Sequence, residues 1–321
     1  HIGLLNHNWQ DRDALIQIGT LPKAQVQEMA GDFWHPTLGG AVPIRINRQL
    51  LDYDHIILLG PTFPHEAAGF SGGAKYLFPG ISGPEVIDTM HWLGALVGVS
   101  GIVGIKDTPT RAMIHAAAEH VPRPITLAAL VAVDDGLAGL VIGDYLLAWE
   151  VSADLSAKRH ILWQDKSFKR VLSWAPPMYD DLWTAGKAVY KLEPVVADGG
   201  EVIIYAPHLK EISRMHGEYI YMIGYHVLEY FLKQWDRFEH IPRGVLAHST
   251  NVRGRGQFAG GVEYPRMKVT LSSQVPAEDC QSLSLSYQNP DEIEVEEWEN
   301  SIDEETLFVP KAGEMLYRLR L

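Results

Sequence analysis

Two kinds of apolar run alternate along this 321-residue chain, and the alternation limits the folds open to it. Short Leu- and Ile-rich runs, such as "LLDYDHIILLG" at 50–60, end at a glycine. Stretches with apolar residues every three or four positions follow, such as "GPEVIDTMHWLGALV" at 83–97. The first kind suits a strand and the second an amphipathic helix. Parallel strands need a long crossover between them, so strand–helix–strand order predicts an α/β layer with a parallel sheet. The 50–60 run is predicted as a buried parallel strand opening into a functional loop at 61–73. A helix is predicted to follow, with Gly83 as its cap and Pro84 and Glu85 in its first turn. "HAAAEHV" reads as helix, and "ITLAALVAVDDG" as a strand closing in a turn at 134–136. "LVIGD" reads as a strand whose Asp144 caps a helix running to about residue 157.

A chain of this length predicts two domains, drawn at 1–163 and 164–321. In the second, "FKRVLSWAPP", "GGEVIIYAPH", "VLAHST" and "RMKVTLSS" read as strands. "DDLWTAGKAVYKLEPVV" reads as one helix with acidic residues at its positive end. "TLFVPKAGEMLYRLRL" is strand-like, with its last strand expected to return to the first domain. Nine acidic side chains in 291–305 read as a solvated face, and Arg253 and Arg255 as part of a solvated glycine-rich loop. The fold class expected is α/β, two α/β domains with mostly parallel sheets and an active site in the cleft between them.

Charge and composition exclude several functions. Net charge is −13, and "NVRGRGQ" is too sparse a basic patch for nucleic-acid binding. Cys280 is the single cysteine, so no intrachain disulfide forms, and a reducing, cytoplasmic setting is expected. The longest apolar stretch, 93–105, falls short of the ~20 residues that span a bilayer. No signal-peptide pattern is read in the sequence.

Residues 65–75, "HEAAGFSGGAK", place a base, a glycine turn and an amine together. A phosphate loop of the Walker type needs Gly-Lys followed by Ser or Thr, whereas Ala74 separates Gly73 from Lys75 and Tyr76 follows. A His-Glu-x-x-His zinc helix needs histidine at position 69, which is glycine. The glycines at 254, 256 and 260 miss the dinucleotide-binding spacing by one residue. Taken singly, His65 could cap a turn, His91 could pack in a core, and Lys75 and Lys187 could be solvated.

In order, however, "PHEAAGFSGGAKYLFPGISG" followed by "MH" resembles the nickel-pincer lactate racemase family. The lead-in "NHNWQDRDALIQIGTL", the segment "VPIRINRQLLDYDHIILLGPTFPH" and the later "APPMYDDLWTAGKA" are similar to it as well. The likeness runs through most of residues 1–205 and is looser beyond.

This resemblance implies a racemase or epimerase of 2-hydroxy acids. It implies a nickel-pincer nucleotide (pyridinium-3-thioamide-5-thiocarboxylic acid mononucleotide) tethered to Lys75, with His91 as the nickel's protein ligand. Gly69, Phe70, Ser71, Gly72 and Gly73 would line the cofactor, the glycines letting backbone lie against a flat ring. His65 would be the catalytic acid/base, and Lys187 a cation near the substrate. The implied reaction is proton-coupled hydride transfer to the cofactor through a 2-keto acid. Implied partners are a small 2-hydroxy acid and cofactor-synthesis proteins, without which a cofactor-free protein is expected; the oligomeric state is left open.

Two departures bear on this. Asp180 or Asp181 is read at a position where the family often has glutamine, which counts against plain lactate and leaves room for a larger polyhydroxy acid. A DDxTRP-like segment and a second catalytic histidine are not found, and His1 is too close to the lead-in to be that histidine. The chain is therefore expected to be a fragment of a longer enzyme and inactive alone. A non-catalytic cofactor or ligand binder, or a hydroxy-acid redox enzyme on the same fold, are the alternatives.

Overall fold

The computed structural model describes residues 3–134, 136–301 and 303–320. His1 and Asp135, the centre of the expected 134–136 turn, lie outside the described residues. The chain divides into two compact units: His1–Val97 with Gly101–Arg159, and Gly98–Ser100 with His160–Leu321. Both are α/β, and the larger sheet of the second is parallel throughout.

In the first unit, the strand Ile56–Pro61 pairs in parallel with Ile125–Val133, which pairs antiparallel with Gly136–Asp144. The expected parallel strand is present but lies at the sheet edge, with alternating exposure: Ile57 and Leu59 face outward while Ile56 and Leu58 are buried. An apolar run does not distinguish burial on two faces from burial on one. The 84–97 helix forms as predicted, burying Val86, Met90, Leu93 and neighbours at helical spacing. Asp144 caps the next helix, its Oδ1 accepting the Leu146 and Leu147 N–H groups at 3.0 and 3.2 Å, and that helix runs on to His160.

In the second unit, five strands lie in the order Ser286–Tyr287, Lys268–Ser273, Val196–Ala206, Phe168–Trp174, Thr306–Val309. Leu172 and Ile203 from the central strands meet Ile293, with Val295, Trp298 and Phe308 packed around them. The acidic segment is thus not merely solvated: its apolar residues dock on the sheet while its acids point outward, and the Arg170 guanidinium lies 4.7 Å from the Trp298 ring centre. The final strand, Leu316–Leu319, pairs with Ile161–Gln164.

Two expectations in this unit are corrected. "VLAHST" lies in the helix Arg243–Arg253, which starts after Pro242 and stops at Gly254 in the left-handed region (φ +79°). All six residues of that run are buried, and a short run buried all round does not distinguish a helix from a strand. "DDLWTAGKAVYKLEPVV" is not one helix but two short ones, Leu182–Ala185 and Lys187–Tyr190, joined at Gly186. A Cβ on Gly186 would lie 2.2 Å from the Tyr190 hydroxyl, so the join is packed against its own next turn.

Candidate functional site

The strand Ile56–Pro61 delivers the chain into the glycine turn. Pro64–His65 folds back antiparallel on Gly69–Phe70, and Ser71 fastens both ends: its N–H donates to the Phe63 carbonyl at 2.7 Å and its Oγ to the Pro61 carbonyl at 3.0 Å. Gly69, Gly72 and Gly73 have φ of +74°, +79° and +61°. A Cβ at Gly69 would lie 1.9 Å from the Ile105 carbonyl oxygen, one at Gly72 2.8 Å from Thr62 Oγ1, and one at Gly73 2.9 Å from the Trp149 ring. The fold itself therefore requires all three glycines, before any ligand is considered. Phe70 is fully buried and serves the core.

His65 is partly buried. Its Nδ1 accepts the Ala67 N–H at 3.1 Å, which puts the neutral ring's proton on Nε2. The Glu66 carboxylate lies 3.5 Å from the same Nδ1 and can receive a proton's hydrogen bond when Nδ1 carries one. Both protonation states of this ring thus have a partner.

His91 projects from the 84–97 helix. Its Nδ1 lies 2.6 Å from the Ile87 carbonyl, so Nδ1 carries hydrogen and Nε2 keeps its lone pair. Burial lowers its pKa, and the nearby Lys75 charge lowers it further, against opposing effects of the Ile87 bond, Glu66 and Asp88. The ring is neutral at neutral pH, the form that ligates a metal. Lys75 is partly buried on the short helical turn Gly73–Tyr76, close enough for its charge to act on His91. Glu66, beside His65, and Lys75 are thus both near enough for their charges to act on His91.

Lys187, in the second unit, is half-buried with its Nζ 5.3 Å from the Tyr179 ring centre. Asp181 is a helix cap: Oδ1 accepts the Thr184 N–H at 2.9 Å and Oδ2 the Arg214 N–H at 3.2 Å. Asp180 pairs with Arg214 at 2.6 Å. Both carboxylates are engaged by their own unit. The expected solvated arginines are engaged as well: Arg253 pairs with Glu263 at 2.9 Å, and Arg255 lies 3.5 Å from buried Glu193.

Sequence reasoning missed Glu66, Arg111 and Trp149. Arg111, 2% exposed, donates to the carbonyls of Ala68, Phe70 and Gly72, and Trp149 Nε1 donates to the Ser71 carbonyl at 3.0 Å. An arginine in a helix carries no local sign of burial; only the string of carbonyls opposite it does.

Among the described residues, no three His, Cys, Asp or Glu side chains converge as a metal cluster. One neutral imidazole beside one amine fits a group that brings its remaining metal donors with it, rather than a metal held by protein alone. No helix among the described residues is long and apolar enough to cross a membrane.

An α/β chain with a histidine and a lysine on one glycine turn and a second histidine on the helix that follows is a narrow class, and comparison with known proteins defines it further. Residues 37–100 match the family profile for the lactate racemase N-terminal domain. A crystal structure of a protein from Thermotoga maritima, solved as a structural-genomics target, is similar at 34% identity and TM-score 0.91, over 98% of this chain and 78% of that one. The lactate racemase apoprotein from Thermoanaerobacterium thermosaccharolyticum shares the fold at TM-score 0.69 and 16% identity, over 97% of this chain and 70% of that one. No curated protein matches. The chain belongs to the lactate racemase-like family.

Proposed function

We propose that this chain is a 2-hydroxy-acid racemase or epimerase, an isomerase that works with a nickel-pincer nucleotide tethered in its first unit. Lys75 is the tether and His91 the nickel's protein ligand. When bound, the cofactor supplies an acceptor for the hydrogen on the substrate's hydroxyl-bearing carbon.

The chain's own residues do the rest. His91 holds Nε2 unprotonated because its Nδ1–H is occupied by the Ile87 carbonyl. His65 exchanges a proton with the substrate hydroxyl at Nε2. Donation comes from the imidazolium, which carries hydrogen on both nitrogens; the neutral tautomer held by the Ala67 N–H already has its hydrogen on Nε2 and cannot accept there. The state that accepts there needs hydrogen on Nδ1, and the Glu66 carboxylate is the group beside it. Lys75 must lose its proton to attach the cofactor. Lys187 is the cation proposed for the substrate's carboxylate. With Asp180 and Asp181 engaged by Arg214 and by helix N–H groups, neither repels an acid substrate through a loose carboxylate.

The observation that carries this reading is the orientation of His91, with its Nδ1–H fixed by backbone and the Lys75 charge close by. The test is expression with and without cofactor-synthesis proteins, followed by intact mass and nickel analysis. The wild type is expected to gain the cofactor mass and nickel; Lys75→Ala is expected to gain neither. A Lys75→Ala chain that still gains the mass overturns the tether. Incubation with single enantiomers of several 2-hydroxy acids separates inversion from net oxidation, which would accumulate the keto acid instead.

A further inference from the structure

Arg111 is a buried cation with an unusual set of partners. It lies on the helix Pro109–Ala118, whose capping Thr108 Oγ1 accepts the Arg111 N–H at 3.1 Å. Among the described residues, no carboxylate pairs with its guanidinium. Its partners are three carbonyls of the glycine turn. Nε and Nη2 reach the Ala68 oxygen at 3.3 and 3.1 Å, Nη2 also donates to the Phe70 oxygen, and Nη1 lies 3.5 Å from the Gly72 oxygen. Burial draws its pKa down to about 9, which leaves it charged at neutral pH.

The guanidinium rests on Trp149, 4.1 Å from the ring centre. The same indole donates to the Ser71 oxygen and fills the space where a Gly73 side chain would be. His115, one turn after Arg111, meets that indole edge-on at 5.4 Å, and burial followed by the Arg111 charge holds its pKa near 4, so it adds no second charge. Four carbonyls, at 68, 70, 71 and 72, are thus collected by two side chains beneath the turn. The Gly72 carbonyl also accepts the Lys75 backbone N–H at 3.3 Å, so one oxygen joins Arg111 to the proposed tether.

We propose that Arg111, seated on Trp149, is a positioning residue that sets the 68–75 turn and thereby holds Lys75 in register with His91 for cofactor attachment. This rests on the function proposed above. Three carbonyls at fixed spacing suit the planar fork of arginine; a lysine ammonium carries the same charge but cannot span them.

The test uses Arg111→Lys and Arg111→Met, with Trp149→Phe as a milder variant that keeps the ring and loses the indole N–H. Each is prepared without cofactor and examined by hydrogen exchange and by amine acylation mapped to individual lysines. Exchange in 68–75 is expected to rise at least tenfold in Arg111→Lys, with strand 125–133 unchanged. The ratio of Lys75 to Lys106 acylation is expected to change at least threefold, which a general loss of stability would not produce. With cofactor-synthesis proteins present, cofactor gain at Lys75 is expected to fall at least tenfold. Wild-type exchange and a wild-type Lys75 ratio in Arg111→Lys overturn the proposal. If Arg111→Met fails to fold, Arg111→Lys and Trp149→Phe decide. A wild-type chain that gains no cofactor mass counts against the tether reading, whereas the exchange and acylation results judge Arg111 by themselves.

Discussion

Gly69→Ala isolates how far the turn depends on a missing side chain. Two costs apply. The residue has φ +74°, and an L-residue in the left-handed region costs about 1–2 kcal/mol. The new Cβ would also lie 1.9 Å from the Ile105 carbonyl oxygen. That oxygen is backbone and cannot swing aside: the Ile105 N–H donates to Ile102, and the Gly104 N–H donates to the Gly69 carbonyl at 2.9 Å. Forcing atoms into a packed site adds about 1–3 kcal/mol, so the total is about 2–5 kcal/mol. Gly98→Ala is the control, because Gly98 has φ +84° with nothing within 4 Å of its added Cβ. It should cost only the conformational part, about 1–2 kcal/mol. Urea unfolding followed by tryptophan fluorescence reads the difference. At a slope of roughly 3 kcal/mol/M, Gly69→Ala should lower the midpoint of the affected transition by about 0.7–1.7 M, and Gly98→Ala by about 0.3–0.7 M. Two units can unfold in separate steps, so each shift is read in the transition of its own unit, the first for Gly69 and the second for Gly98. Equal shifts for the two variants would refute the argument that the Ile105 carbonyl closes the turn.

His91→Ala is expected to leave the cofactor mass on Lys75 while abolishing nickel retention, read by intact mass beside metal analysis; retained nickel would remove His91 as the ligand. Asp181→Ala strips the cap that accepts the Thr184 and Arg214 N–H groups, and should cost about 1–2 kcal/mol in thermal unfolding of the second unit. Glu263 gives a pH signature. Burial pushes its pKa up, but hydrogen bonds from His226 and Arg253 outweigh that and hold it below 4.5. A depressed carboxylate stabilises the fold above its unfolded pKa and loses that contribution as pH falls through the folded value. The wild type should therefore exceed Glu263→Gln in melting temperature at pH 7, with the gap closing as pH falls below about 4.5. A gap unchanged at pH 3 would count against the ion-paired carboxylate.

The strand ending at Gly60, the turn with three left-handed glycines, Lys75 and the helix bearing His91 were all legible in order along the chain. Each is set by neighbours a few residues away: strand period, helix period, the φ that only glycine adopts freely. The Asp144 cap is legible for the same reason. Where a local pattern served two structures equally, tertiary packing decided. "VLAHST" became helix as part of an eleven-residue segment buried on all sides and bounded by Pro242 and Gly254, and the strand at 56–61 took an edge because only one neighbour pairs with it. The partners of the glycine turn were hidden for a plainer reason. Arg111 reaches Ala68 from 43 residues away and Trp149 reaches Ser71 from 78, and contacts at such separations leave no period in the sequence. By itself the sequence determined which groups the turn carries; only the tertiary structure decided what holds them, because a buried guanidinium and an indole are recognised by the carbonyls they meet.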